Sequence, residues 1–173
     1  MPERPNAVTM RGNPLTLVGD EIKVGDKAPD FQVTDTSLSQ VKLSSYTGKI
    51  VVIVSVPSLD TPVCDLETRK FNQEAAQLSD QAIVLVISMD LPFAQKRWSG
   101  AAGVSHVITL SDHREASFGL AYGLLIKELR LLGRAVIVVD RRGIIRYLEL
   151  VKEIADEPNY EAALKAVNQC LTG

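Results

Sequence analysis

The segment Ile50–Val56, IVVIVSV, is a β-branched run with no alternation of apolar and polar residues. A half-exposed strand alternates, whereas a strand covered on both faces does not, so this run demands packing above and below. It predicts a central strand. Ala82–Ser88 has the same character, Val107–Leu110 and Arg134–Val139 add a third and a fourth strand, and Ile144–Val151 adds a fifth. The tight turn Asp140-Arg141-Arg142-Gly143 joins the last two. Between the strands the pattern is helical. One helix starts at Pro62, a residue suited to a first helical position, with Thr61 as its N-cap and Val63, Leu66, Phe71, Ala75 and Leu78 as its inward stripe. Leu91–Trp98 predicts a short helical or irregular segment before Gly100 and Gly103, His113–Tyr122 a short helix, and Tyr160, Leu164, Val167 and Leu171 a final amphipathic one. At the N-terminus Ala7–Met10 and Leu15–Val18 flank Gly12-Asn13-Pro14, the pattern of a hairpin. The order predicts an α/β sandwich, a central mixed β-sheet flanked by helices with an N-terminal β-hairpin.

A chain of 173 residues without repeats or low-complexity tracts fits one domain spanning 1–173. With 46% hydrophobic and 23% charged residues, a packed core is expected rather than disorder. Lys plus Arg number 19 against 21 Asp plus Glu, so no basic excess is available to neutralise phosphates and nucleic acid is excluded as a partner. The apolar run Ala82–Ile87 falls far short of the roughly 18 residues of a membrane span, which excludes a membrane partner. MPERPNAVTMRGNPLTLVGD lacks the apolar stretch of a secretory signal, so a cytoplasmic address is expected. Cys64 and Cys170 are the two cysteines, too few for a disulfide framework. His106 and His113 have no cysteine or carboxylate cluster at ligand spacing, so no metal is expected.

Cys64 follows a buried strand and falls inside the first turn of the helix that starts at Pro62. Free N–H groups and the helix dipole favour a thiolate there, the reactive form of cysteine. The dipole supplies about 0.3–1 kcal/mol, up to about 2, against about 1.4 for one pKa unit, so a large effect requires a cationic partner. Thr61, three residues earlier, can place its hydroxyl beside the sulfur, and Pro57 at the strand exit can shield it from water.

Pro57, Thr61 and Cys64 match PxxxTxxC, the signature of the peroxiredoxins, and SLDTPVCDLETRKFN resembles their bacterial thiol peroxidase subfamily, of atypical 2-Cys type. DLPFAQKRW at Asp90–Trp98, HVITLSD at His106–Asp112 and RAVIVVDRRG at Arg134–Gly143 extend the similarity from about Ala7 to Leu171. The resemblance implies a thioredoxin-like fold, a homodimer, no metal or organic cofactor, and reduction of hydrogen peroxide and organic hydroperoxides with thioredoxin as reductant. It implies Cys64 as the peroxidatic nucleophile, Thr61 as a peroxide ligand and Arg134 as the active-site cation.

One position departs from the pattern. The family's resolving cysteine usually follows the aromatic residue of the DLPFAQxRF segment, and Ser99 stands there, after Trp98. A hydroxyl cannot condense with a sulfenic acid to give a disulfide, so the usual relay is unavailable. Either the natural chain differs here or serine was introduced for cysteine; the preserved surroundings and near-isosteric exchange favour the second. Cys170, near the apolar stripe of the last helix, is expected to pack rather than resolve. A redox-sensing or turnover-dead binding module of the same fold is the alternative function. A CxxC oxidoreductase is not, because Asp65, Leu66 and Glu67 follow Cys64.

Overall fold

The structure is a computed structural model and describes residues 1–173 except Ala76, Ser79, Val104, Ser105 and Gly173. Its main sheet has seven strands among the described residues, in the order β11-β10-β5-β6-β7-β3-β4. These are β3 (Gln32–Thr34), β4 (Gln40–Lys42), β5 (Ile50–Ser55), β6 (Ala82–Ser88), β7 (Ile108–Ser111), β10 (Ala135–Val139) and β11 (Ile145–Leu150). β5 runs parallel to β6 and antiparallel to β10, so the sheet is mixed. The expected central strand is β5, and all six of its residues are buried.

Alternation of side chains splits that burial between two cores. Ile50, Val52 and Val54 face Phe71 of α1 (Pro62–Ala75) and Ala163, Ala166 and Val167 of α4 (Tyr160–Thr172). Val51 and Ile53 face the opposite way, toward Phe31, Phe118 and Tyr122, with Phe118 on α3 (Ser117–Ala121). Both faces are therefore covered, as the unalternating sequence requires. α2 (Pro92–Ala102) lays Trp98 and Ala102 against the α1 side. None of the described helices is long and apolar enough to cross a membrane.

The expected hairpin forms from β1 (Glu3–Met10) and β2 (Asn13–Val18). It belongs to a second, four-stranded sheet completed by β8 (Leu125–Ile126) and β9 (Leu131–Leu132). The two-residue strands carry too short a pattern to be read from sequence, and so do the three-residue β3 and β4 at the sheet edge.

Three helix expectations need correction. α2 runs past Trp98 and through Gly100 to Ala102, ending at Gly103 with φ 70°, so only the second glycine acts as a stop. The helix expected at His113–Tyr122 shrinks to Ser117–Ala121, because Asp112 accepts N–H bonds from Phe118 and Gly119 at 3.0 and 2.8 Å and fixes a late start. On α1 the expected stripe holds at Phe71, Ala75 and, just past the helix, Leu78, but not at Leu66, which is 54% exposed while Glu67 and Thr68 are buried with Cys64 and Phe71.

Candidate active site

At the end of β5 the chain leaves the sheet through Val56 and the buried Pro57 and enters a loop that is tied down by one carboxylate. Asp90 accepts the Ser58 hydroxyl at 2.8 Å, the Leu59 N–H at 2.9 Å and the Ser88 hydroxyl at 2.7 Å, anchoring the loop to the end of β6. That loop delivers α1. Thr61 accepts the Cys64 N–H at 3.3 Å and donates its own hydroxyl to the Ser58 carbonyl at 3.0 Å, so it is the expected N-cap. The side chain of Cys64 points inward, with no exposed surface.

Arg134 reaches the same spot from the neighbouring strand. It stands one residue before β10 rather than inside it, and shares the strand parity of Val136 and Val138, which face α1. The Ser55 hydroxyl holds the Gly133 carbonyl at 2.8 Å, setting Arg134 beside the end of β5. Its guanidinium then makes three bonds: Nη2 to Cys64 Sγ at 3.0 Å, Nη1 to Glu67 Oε1 at 2.5 Å, and Nε to the Ile154 carbonyl at 2.9 Å. Cys64 and Arg134, which are 70 positions apart in sequence, thus meet directly.

Glu67 is the functional-site residue that sequence reasoning missed. Cys64, Glu67, Thr68 and Phe71 are spaced i, i+3, i+4, i+7 and share one helix face, and this spacing from Cys64 is the sequence signal that points to Glu67. Burial pushes the Glu67 carboxyl up to about 7; Arg134 pulls against that rise, and Glu149 and Glu157 add to it. Its Oε2 has no hydrogen-bond partner among the described residues, so compensation for the lost hydration rests on the guanidinium at Oε1. Burial also works against the charge on Arg134, but Glu67 and then Cys64 outweigh it and hold that pKa above the ordinary arginine value.

Among the described residues no hydrogen bond joins Ser99 to Cys64. Ser99 lies on α2, where its hydroxyl turns back to the Lys96 carbonyl at 3.2 Å. Cys170 stands on α4. It lines a cavity of about 470 Å³ with Asp140, Arg141 and Arg146, at the end of β10 opposite Arg134. From 134 to 140 the extended chain covers roughly 20 Å at about 3.4 Å per residue, well beyond the Cα separation of about 7 Å that a disulfide tolerates.

The chemistry available is that of a buried sulfur nucleophile with a fixed cation at hydrogen-bond distance and a hydroxyl at the adjoining helix cap. Residues 23–164 match the Redoxin family. The chain is 57% identical over 162 residues to a thiol peroxidase of Listeria innocua, covering 94% of this chain and 98% of that one. It is 54% identical over 159 residues to a thiol peroxidase of Bacillus subtilis, covering 92% and 95%. Among solved structures, a peroxiredoxin-like protein from Aquifex aeolicus superposes with a TM-score of 0.90 at 42% identity, over 95% of this chain and 97% of that one.

Proposed function

The chain belongs to the Redoxin family and, within it, to the thiol peroxidases, and we propose that Cys64 is the nucleophile of its thiol-dependent peroxidase activity. The enzyme is a peroxiredoxin-type oxidoreductase with a thioredoxin-like fold. The observation that carries the assignment of Cys64 is the 3.0 Å bond from Arg134 Nη2 to its sulfur. This is the cation that the dipole arithmetic called for.

The Cys64 thiolate attacks one oxygen of hydrogen peroxide or an organic hydroperoxide. The O–O bond breaks, the sulfur takes one oxygen and becomes sulfenic acid, and the other leaves as alkoxide or hydroxide and is protonated to alcohol or water. Arg134 stabilises the charge moving onto the leaving oxygen, a preorganised donor that costs no reorganisation at the moment of reaction, while the Thr61 hydroxyl, bonded to the Ser58 carbonyl and to the Cys64 N–H, positions the helix start that carries the sulfur. Pro57, buried at the strand exit, keeps bulk water from the sulfur. Glu67, clamped to Nη1, fixes the plane of the guanidinium so that Nη2 faces Sγ.

Thioredoxin is the proposed reductant and a homodimer the proposed assembly. Leu91 and Phe93, 54% and 68% exposed where α2 begins, support a partner surface beside the site; sedimentation at micromolar concentration tests it, and a clean monomer defeats it. With Ser99 at the resolving position, oxidation of Cys64 stops at sulfenic acid, and excess peroxide carries it on to sulfinic acid. Intact-mass analysis after peroxide is the decisive experiment. It should show one added oxygen, removable by a small thiol and absent from Cys64→Ser. Ser99→Cys should instead show a loss of two hydrogens. Peroxide consumption surviving in Cys64→Ser would overturn the assignment.

A further inference from the structure

Cys64 has no exposed surface, yet thiol-dependent turnover brings an external thiol onto its sulfur. Two sets of contacts hold α1 over its neighbours, and they differ in what opening them costs. On the sheet side stand Arg134 and Glu67, whose side chains are 2% and 0% exposed, so parting them strands a buried charge. On the other side α1 meets α2. There the Trp98 indole N–H donates to Asp65 Oδ1 at 2.7 Å, and Arg69 donates to Asp65 Oδ2 at 3.0 Å. The Arg69 guanidinium also lies 6.0 Å from the indole centroid and donates to the Ala102 carbonyl at 3.2 Å. Asp65 and Arg69 are 35% and 47% exposed, so water replaces these contacts when they part. Trp98 itself packs on the apolar layer that contains Val56, Leu59 and Cys64. An open depression of about 330 Å³, lined by Asp60, Thr61, Pro62, Asp65, Arg69 and Trp98, already indents this seam.

We infer that the seam between α1 and α2 is the entrance for the reducing thiol, and that Asp65, Arg69 and Trp98 are its latch, setting how large a thiol reaches Cys64. The inference rests on Cys64 being the peroxidatic residue. The thiol sulfur bonds to the sulfenic sulfur of Cys64 and water leaves; a second thiol breaks that mixed disulfide, forming the external disulfide and restoring the Cys64 thiol. Asp65 follows Cys64 in the chain and Trp98 precedes Ser99, so the latch spans the two positions that a relay would join.

The test compares alkylation of Cys64 by iodoacetamide, which is small, with alkylation by pyrene maleimide, which is bulky, each read by mass at the Cys64 peptide so that Cys170 does not interfere. Comparing the ratio of the two rates removes any change in thiolate fraction. Trp98→Phe keeps the ring and deletes the N–H donor. It should raise the bulky reagent's rate about ten-fold relative to the small one, the scale of a lost hydrogen bond to a charged acceptor. Arg69→Gln, at a half-exposed position, should move the ratio the same way by a smaller factor and serves if Trp98→Phe does not fold. A ratio unchanged in the folded variants, or both reagents accelerated equally, overturns the latch. Failure of the Cys64 assignment shows separately, as peroxide consumption that survives Cys64→Ser.

Discussion

Cys64 and Cys170 are the same thiol in two settings, and it is the better hidden one that we propose as the nucleophile. Cys64 is fully buried with a guanidinium nitrogen 3.0 Å from its sulfur. Cys170 is half-buried on α4, and the effect of burial together with Asp140 pushes its thiol pKa up, against the partial pull of Arg146 and Arg141. Cations lie near both. The difference is fixation: Arg134 is held by Glu67 and the Ile154 carbonyl, whereas Arg146 spends its Nε on Asp140 and remains half-exposed. A partly exposed charge is screened by water, and a buried one aimed at the sulfur is not. Reactivity is therefore assigned by the partner's anchoring, not by the cysteine's accessibility.

The sharpest way to break the comparison is to remove each thiol. Cys64→Ser should abolish peroxide consumption, while Cys170→Ser should keep it within about twofold, as surface changes away from a site usually do; a peroxide assay decides. Next in size is Arg134→Met, which removes the anchored cation. Peroxide reaction should slow by about a hundred- to a thousand-fold, the scale of losing one preorganised donor. Stability should fall by about 3–5 kcal/mol above neutral pH, because Glu67 is left as an unpaired buried charge. That loss should shrink in acid, where Glu67 takes up a proton.

The same carboxyl gives a pH signature to the wild-type fold. Glu67 is held up to about 7 in the folded chain against an ordinary value near 4.5, so between those values folding takes up a proton. The sign follows: stability from this group is greatest below about 4.5 and is lost as pH rises through 7. Relative to Glu67→Gln, the wild type should lose stability from pH 5 to pH 8 in denaturant titrations. A constant difference would show that Glu67 is ionised throughout. The smallest effect concerns the cap. Thr61→Val should cost about 0.5–2 kcal/mol of stability and slow peroxide reaction, and Thr61→Ser should restore most of both. Full activity in Thr61→Val would confine Thr61 to capping.

Much of this was legible in the chain itself. β5, β6 and β10 could be read because strands covered on both faces need unbroken apolar runs, and β11 because the tight turn at 140–143 folds it back on β10. The start of α1 could be read because Thr61 and Pro62 carry local capping chemistry, and Cys64 follows from it at a fixed spacing. The sequence motif also named Arg134, though not its bond to the sulfur. What it left open depends on contacts between distant segments. Helical spacing puts Glu67 on the face of Cys64 and Phe71, but nothing local shows what makes the burial of that carboxylate tolerable, which is the Arg134 guanidinium arriving beside β10. Nor does the chain show that Trp98 locks α2 onto α1 beside the nucleophile, or that Cys170 lies at the far end of β10. Periodicity and capping act over a few residues and are written in the sequence, whereas the desolvation and pairing of charges are set only once strands and helices distant in the chain have packed together.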